Sequence, residues 1–210
     1  VYLDGYDQHT FWANSKALSL AGIAKDTPNP PNGIIVRDLQ TGEPTGAIKE
    51  DADALIRKVI PEPSHTEQLT ALRAGIKRAN RNGLARVQSA RWDFGILPFL
   101  EELRQDKQLS LRFDIAYLLS EHRLEVSDLS AIENAHKKYH DEWINASTVK
   151  LVLDGVVESH TAAFIEPYTD QPSTKGLLFW SPEKYNDAVA QLDKRGLQIY
   201  THAIGDLAVR

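Results

Sequence analysis

Two segments of the chain share one pattern, a short apolar run that ends in a polar loop with a glycine. They read VKLVLDGVVESHTAA, from Val149, and LQIYTHAIGD, from Leu197. Each run is rich in the β-branched and apolar residues that form strands buried on both faces of a sheet. The connection between the runs is long enough for a crossover helix, so the pattern predicts two parallel neighbouring strands.

The same alternation runs through the region that begins at Ser64. Ser64 and Glu67 form a capping box, which opens a helix whose apolar residues keep helical spacing as far as Asn82. The predicted elements after it are a strand at 84–88, a helix near 97–104, a strand at 111–119, a helix near 129–139, the strand with Lys150, a helix within 181–196 and the strand with His202. Strand alternates with helix four times without a hairpin, which predicts four βα units on a parallel sheet.

Four βα units are about half of an eight-stranded barrel. The sequence therefore predicts an α/β fold in which residues 64–210 form part of a (β/α)8 TIM-type barrel. A flavodoxin-like open sheet is the alternative, although neither a GxGxxG motif nor a P-loop supports a nucleotide-binding sheet. In both architectures functional residues lie at the carboxyl ends of strands, and Lys150, Asp154 and His202 fall at or close to such ends.

Residues 1–63 lack this alternation and are predicted to form an inserted α+β subdomain. Asn14 or Ser15 is predicted to cap its first helix. The predicted elements, separated by turns rich in proline and glycine, are a helix at 16–20, a β-hairpin with strands at 34–36 and 45–48, and a helix at 51–59. The sequence thus predicts two domains, 1–63 and 64–210.

Composition excludes several classes of protein and of site. The formal net charge is −5, and adjacent lysines and arginines occur only as pairs, which argues against a nucleic-acid partner. No apolar run approaches the roughly 18 residues of a membrane-spanning helix, so no membrane partner is expected. The chain has no cysteine, which excludes disulfides, thiolate metal sites and thiol nucleophiles. Any metal ion must therefore bind histidine, carboxylate or a modified lysine.

The sequence begins at Val1 without a methionine, and we expect it to be an internal piece of a longer protein. A signal peptide cannot be assessed in such a piece. A cytoplasmic location is the expectation, with export left open. A half-barrel by itself has two exposed edge strands, so we expect either a self-associated homodimer or further chain segments that cover these edges.

Lys150 is the strongest clue to function, because a lysine in an apolar strand carries a desolvation cost. Its ammonium group could reach the barrel mouth, pair with a carboxylate, or act as a catalytic amine whose pKa is shifted by burial. Alternatively, the neutral amine could take up carbon dioxide and become a carbamate, an anionic ligand able to bridge two cations. His202, near the end of the next predicted strand, is either a hydrogen-bonded structural residue or a metal ligand.

Further polar residues form two groups in loops. Asp154, Glu158 and His160 follow the strand with Lys150, either as functional residues or as a solvated loop. The second group, near the N-terminus, contains His9, Trp12 and Asn14, and Trp12 is expected to pack. The other candidates have structural interpretations, namely Asp206 in the first turn of a helix and the solvent-facing His65, His122, His136 and His140.

Four segments carry a resemblance to a known family. They are DQHTFWANSKALSLAGI from Asp7, PNPPNGIIVRDLQTGEPTGAIKE from Pro28, VKLVLDGVVESHTAAFIEPY from Val149 and YTHAIGDLAV from Tyr200. Each motif alone is weak, but four of them in order and at matching spacing are specific. Together they resemble the third amidohydrolase family, in the branch of N-substituted formamide deformylase and related metal-dependent hydrolases, nearly from end to end.

The resemblance implies a metal-dependent hydrolase on a (β/α) barrel, of which this chain would form strands 2 to 5. Lys150 matches the lysine that ends the fourth barrel strand, which can be carboxylated and bridge two metal ions. His202 matches the metal-binding histidine of the fifth strand. The residues expected to bind substrate, including a loop motif near the N-terminus, are His9, Trp12, Asn14, Asp154, Glu158 and His160.

Several residues that the family uses are missing from this sequence. They are the His-x-His pair after the first strand, the histidine of the sixth strand and the aspartate of the eighth strand that orients the attacking water. The catalytic aspartate is therefore expected outside residues 1–210. Many relatives carry an arginine where His160 stands, which puts an anion-binding role at that position in question.

The implied activity is hydrolysis of a carbon–nitrogen bond in a small-molecule amide or formamide-like substrate by metal-activated water. One or two divalent ions, expected to be zinc, would bind the complete protein. The isolated piece is expected to be inactive, because two candidate ligands are fewer than the roughly three protein ligands of an open catalytic site. The alternative is a non-catalytic regulatory or binding protein on the same scaffold.

Overall fold

A computed structural model describes residues 1–89, 94–119 and 124–210. The described chain divides into two compact units. Unit 1 contains residues 1–62, 153–179 and 203–210, and unit 2 contains residues 63–152 and 180–202. The first segment of unit 1 ends at residue 62, one residue before the predicted domain boundary at 63. Its two later segments, 153–179 and 203–210, come from the region that was assigned to the barrel. The assignment of residues 1–63 as an inserted subdomain stays a prediction.

Unit 1 contains an antiparallel sheet with the strand order β1-β2-β4-β3. The strands are β1 (Tyr2–Asp4), β2 (Thr10–Ala13), β3 (Gly33–Arg37) and β4 (Pro44–Glu50). β3 and β4 form the predicted hairpin, with a register shift between Ile35 and Arg37. β2 was not predicted, since its four residues follow a polar turn and are too few to establish a period.

The helices of unit 1 are short, and local capping defines the first of them. The helices are α1 (Ser15–Ala21), α2 (Ala54–Arg57), which follows a 3-10 turn at Asp51–Asp53, and α7 (Asp206–Val209). Asn14 is the N-cap of α1, and its side chain accepts a hydrogen bond from the Ala17 amide at 3.0 Å. Gly22 closes α1 in the left-handed conformation, at φ 70°. The helix predicted at 51–59 is therefore divided and ends at Arg57.

Unit 2 contains a parallel sheet whose strands follow chain order, β5-β6-β7-β8. They are β5 (Arg86–Gln88), β6 (Arg112–Leu118), β7 (Ile144–Val152) and β8 (Gln198–His202). The predicted parallel pairing of β7 and β8 is confirmed. Doubly wound sheets reverse their strand order at a switch point, so a sequential order over these four strands favours a barrel segment over the flavodoxin-like alternative.

The helices of unit 2 alternate with these strands. They are α3 (His65–Arg81), α4 (Leu97–Gln105) after a 3-10 turn at Phe94–Ile96, α5 (Val126–Lys138) and α6 (Pro182–Asp193). The capping box of Ser64 and Glu67 is present at the start of α3. α5 begins three residues earlier than predicted. Within the described residues, no helix is both long and apolar enough to cross a bilayer.

One face of the parallel sheet is apolar and packs against helices. Phe113 and Ile115 of β6 belong to a buried cluster with Leu100 and Leu103 of α4. On β7 the buried residues of the same face are Val149 and Leu151. Because side chains alternate along a strand, the residues between them lie on the opposite face. That second face carries polar side chains, including Asp114, Lys150, Gln198 and His202.

The expectation that both strands of the leading pair are buried on both faces holds only for β7. β8 lies at the edge of the sheet, where Gln198 is exposed and Tyr200 is 39% exposed. One face of β8 is covered by helix α6. On that face the hydroxyl groups of Thr201 and Tyr185 lie 3.0 Å apart.

Candidate metal and substrate residues

Lys150 and His202 lie on neighbouring parallel strands and on the same face of the sheet. The register pairs Lys150 with Tyr200 and Val152 with His202. Lys150 and Val152 are two positions apart, as are Tyr200 and His202, so all four side chains lie on one face. The two predicted metal ligands therefore lie at diagonal positions on one face, near the carboxyl ends of β7 and β8.

Lys150 is buried among apolar and aromatic groups. It is 8% exposed, and its Nζ lies 4.1 Å from the centroid of the Tyr200 ring. Burial lowers the pKa of the Lys150 amine, because the charged form loses solvation. Within the part of the chain that the structure describes, no carboxylate forms an ion pair with it. A lysine in this setting has a larger neutral fraction than an exposed one.

The residues present fit a metal ion in part. His202 is half-buried, and a neutral imidazole is a common metal ligand. An amine with a lowered pKa is the form of lysine that can be carboxylated into an anionic oxygen ligand. No group of three or more histidine, aspartate or glutamate side chains converges within residues 1–89, 94–119 and 124–210. Lys150 and His202 would thus supply two donors of a site that ordinarily takes three or more.

Asp154 follows β7 and its carboxylate binds backbone amides. The side chain is fully buried and accepts N–H bonds from Ala163 at 2.9 Å, Ile204 at 2.9 Å and Gly205 at 2.7 Å. Three such donors satisfy a buried carboxylate at little cost. Asp154 therefore fastens the segments 162–165 and 203–206 to the loop after β7, all within unit 1.

The other two residues of this loop differ in their surroundings. Glu158 is exposed. His160 has a left-handed backbone, at φ 59°, and its Nε2 lies 2.8 Å from Asp170 Oδ2. That hydrogen bond from His160 lowers the pKa of Asp170. The His160 ring also contacts the Tyr168 ring, with 4.8 Å between their centroids.

The N-terminal group of candidates is dispersed along β2 and its flanks. Trp12 is 54% exposed, contrary to the expectation that it packs. Asn14 is occupied as the N-cap of α1. His9 is partly buried, with Nδ1 2.8 Å from Glu50 Oε2. Of these three, His9 is thus the one that the structure builds into a buried network.

Sequence reasoning missed the residues that complete this network, Glu50, Thr161 and Lys49. Glu50 ends β4, and Thr161 lies in the loop after β7. Lys49 Nζ donates to the carbonyl oxygen of Ser159 at 2.6 Å, and burial lowers its pKa. The only available signal was the Lys49-Glu50 pair at the end of an apolar strand, and its partners in the loop after β7 lie more than a hundred residues away in the sequence.

The remaining candidates mostly have the structural roles expected of them. Asp206 lies in the first turn of α7, and its Oδ1 accepts the Ile165 amide at 2.9 Å. His65 and His140 are exposed, as expected. His136 is half-buried, and its Nδ1 lies 2.9 Å from Ser147 Oγ, so it does not face solvent freely. His122 lies outside the described residues.

Comparisons with known proteins identify relatives over the whole chain. The model of the amidohydrolase family matches residues 1–210. The putative amidohydrolase YtcJ of Bacillus subtilis (strain 168) is 31% identical over 209 residues, which are 99% of this chain and 39% of YtcJ. N-substituted formamide deformylase of Arthrobacter pascens is 26% identical over 211 residues, 96% of this chain and 38% of that enzyme.

A solved structure shares the fold. The uncharacterized metal-dependent hydrolase from Pyrococcus horikoshii OT3 superposes with a TM-score of 0.66 at 24% identity, over 96% of this chain and 38% of that one. The parallel sheet is therefore a curled half-barrel, and the chain also contains an antiparallel sheet. The chain spans a little over a third of the length of each of these relatives.

Proposed function

The chain belongs to the amidohydrolase family, and on that premise we propose that its protein hydrolyses a carbon–nitrogen bond of a small-molecule amide. Hydrolases of this family act on such bonds. Within the class, we propose formamide-like amides, because one relative carries the name of a formamide deformylase. The parallel half-barrel would supply four strands, numbers 2 to 5, of an eight-stranded barrel.

The observation that carries the proposal is that Lys150 is buried and lies diagonally across from His202, on the neighbouring strand and on the same face of the sheet. An amine with a lowered pKa can react as the free base with carbon dioxide. A nitrogen–carbon bond then forms, one proton leaves the nitrogen, and the lysine becomes an anionic carbamate. We propose that this carbamate and the His202 imidazole hold a divalent ion, zinc in the simplest case.

A divalent ion held there would polarise the substrate carbonyl and activate water as the nucleophile. The part of this chain in that chemistry is to keep the Lys150 side chain desolvated and aligned with His202 on one face. The proton acceptor and further ligands are proposed to lie outside residues 1–210. We separately propose that His9, Trp12, Glu158 and His160 contact substrate, whereas Asp154 and Asn14 act by fastening the backbone that they hold.

Metal analysis of the complete protein tests the proposal. We expect bound zinc or a similar ion, hydrolysis of N-substituted formamides in an amide panel, and loss of both in Lys150→Ala and in His202→Gln. His65→Gln is the matched control, since His65 is an exposed histidine. A complete protein without metal, whose amide hydrolysis is insensitive to chelators, would contradict the proposal.

Carboxylation has its own readout. Incubation with 13C-labelled bicarbonate should give a carbamate carbonyl signal in the wild type and in Lys49→Arg, and none in Lys150→Arg. Lys49 is the appropriate control because burial lowers its pKa too. A labelled carbamate that persists in Lys150→Arg would assign the modification to another lysine.

The 210-residue chain alone is proposed to be inactive, since it supplies only two candidate ligands. Amidase activity in the purified chain would overturn this statement. A complete protein that binds metal and turns over no amide would favour the binding or regulatory alternative on the same scaffold.

We also propose a cytoplasmic protein, and self-association of the isolated chain through its edge strands β5 and β8. Cell fractionation and analytical ultracentrifugation test these two points.

A further inference from the structure

Four nitrogen and oxygen donors converge in unit 2, where α5 ends and β7 begins. Nδ1 of His136 lies 2.9 Å from Ser147 Oγ, and Nδ1 of His140 lies 3.0 Å from the same oxygen. Asn145 Oδ1 lies 3.2 Å from His140 Nδ1 and accepts the Ser147 hydroxyl. The centroids of the two imidazole rings are 4.7 Å apart. Two ring nitrogens and an amide oxygen thus surround one hydroxyl oxygen.

The orientation of the Asn145 amide is set by a carboxylate on its other side. Asn145 Nδ2 donates to Asp114 Oδ1 at 3.0 Å, and Arg86 donates to both oxygens of that carboxylate, at 2.6 Å and 2.8 Å. The Arg86 guanidinium lowers the pKa of Asp114, so this group is an ionised acceptor at neutral pH. The amide nitrogen must therefore face Asp114, and the amide oxygen faces His140. Hydrogen bonds of this kind orient the ligands of metal sites.

The backbone brings the four side chains together in two ways. From Asp114 to Ala116 the register advances two residues along β6 and three residues along β7. β7 therefore has one extra residue, a β-bulge, and bulges redirect side chains next to functional sites. The turn after α5 also folds back onto this strand, where an antiparallel bridge pairs His140 with Asn145.

We propose that one zinc ion binds to the four donors, which belong to His136, His140, Asn145 and Ser147. Bonds of about 2.1 Å in a tetrahedral zinc site place the donors roughly 3.3 Å apart and two imidazole centroids roughly 5 Å apart. The printed distances from the ring nitrogens are 2.9, 3.0 and 3.2 Å, and the centroids are 4.7 Å apart. The rings thus need only small shifts to admit an ion. The hydrogen-bonded oxygens of Asn145 and Ser147 must separate further.

The chemistry of the donors favours zinc over the hard cations. All four donors are neutral, and two of them are imidazoles, which suit zinc, copper and nickel. Magnesium and calcium prefer carboxylate oxygens, and none of the four donors is a carboxylate. Four protein donors leave no open position, as in structural zinc sites. The ion would therefore fasten the end of α5 to β7, independently of the hydrolysis proposed at Lys150 and His202.

Zinc binding has a signature in the histidine rings. Without metal, the hydrogen of Ser147 goes to Asn145, so Ser147 Oγ accepts from both rings and each Nδ1 carries a hydrogen. Zinc needs the lone pair of Nδ1, so the hydrogen of each neutral ring must move to Nε2. Nitrogen-15 NMR distinguishes these two tautomers.

Zinc titration of the full 210-residue chain tests the site, and His202→Gln is used as the background so that the other proposed ligand pair is incomplete. Calorimetry should give one zinc ion per chain, and zinc should raise the melting temperature. Magnesium should do neither. His136→Gln and His140→Gln should each weaken zinc binding by about tenfold or more. His65→Gln is the matched control, because His65 is an exposed histidine of the same unit, and its zinc affinity should be unchanged.

Circular dichroism establishes that each variant is folded. Absence of zinc binding in the His202→Gln background overturns the proposal, and so does equal affinity in folded His136→Gln and His140→Gln. Ring hydrogens that stay on Nδ1 at saturating zinc would overturn it as well. Because every arm lacks His202, these results are separate from the success or failure of the proposed hydrolase function.

Discussion

Strand β7 buries the amine of Lys150, and the loop after it buries the carboxylate of Asp154, but the two groups have different partners. Lys150 lies against the Tyr200 ring, and burial lowers the pKa of its amine. Asp154 lies in a shell of three backbone amides that satisfy its carboxylate. Both side chains are almost inaccessible to solvent, at 8% and 0% exposure.

The difference separates a residue that holds the fold from one that is poised for chemistry. A buried charge with a full set of donors contributes to stability, and its removal leaves those donors unsatisfied. A buried cation beside an aromatic ring alone is a local cost to folding. Such a residue is better explained by a role in binding or by chemical modification than by a contribution to stability.

Removal of the Asp154 carboxylate should have the largest effect on stability. Asp154→Ala leaves three buried N–H groups without an acceptor, and we expect the free energy of unfolding to fall by about 3 kcal/mol. Asp154→Asn should recover only part of the loss, because its amide group places a donor among donors. Urea unfolding followed by circular dichroism measures both. A loss below about 0.5 kcal/mol, typical of surface positions, would show that Asp154 does not hold the loops.

The next largest effect is expected at Gly155, beside the carboxylate network. A methyl group there meets Glu50 Oε1 and Thr161 Oγ1, and Gly155→Ala should lower the free energy of unfolding by about 2 kcal/mol. Gly75 is the matched control, since it lies in α3 with open space around it. Gly75→Ala should raise stability by about 0.5–1 kcal/mol. If both substitutions change the free energy of unfolding in the same direction, the expected contrast between Gly155 and Gly75 is wrong.

Lys150→Met should change stability in the opposite direction from Asp154→Ala. An apolar side chain of similar length removes the desolvation cost and loses the contact with Tyr200, so a gain of about 1 kcal/mol is expected at neutral pH. The lowered pKa means that the unfolded chain binds this proton more tightly. Wild-type stability from this group therefore rises with pH towards the ordinary lysine pKa of 10.5.

The stability advantage of Lys150→Met over the wild type should accordingly narrow as the pH rises towards 10.5. Lys49→Met is the control, because Lys49 donates a hydrogen bond to Ser159 that methionine cannot replace. It should destabilise the protein. A Lys150→Met variant that is less stable than the wild type would indicate a structural lysine.

The smallest effect is expected at Glu158, on the same loop as Asp154. Its side chain is exposed, so Glu158→Ala should change the free energy of unfolding by less than about 0.5 kcal/mol. Thermal unfolding provides the measurement. A larger loss would mean that the loop depends on Glu158 as it does on Asp154, and the contrast between the two carboxylates would disappear.

Much of the secondary structure could be predicted because its signals are local. The capping box at Ser64 involves residues three apart, and the N-cap at Asn14 acts within one helical turn. The pairing of Lys150 with the strand of His202 followed from the connection between them. These features depend on neighbours in the sequence, so the order of residue types determines them.

The sequence by itself determined the alternation of strands and helices, the hairpin of β3 and β4, and the place of Lys150 in a buried strand. Tertiary structure alone decided that Asp154 accepts three backbone amides and that His9 meets Glu50. The contacts of Asp154 and His9 join residues from 9 to 51 positions apart. No local period or motif encodes such pairings, since they arise only when loops of unrelated sequence close on the same buried group.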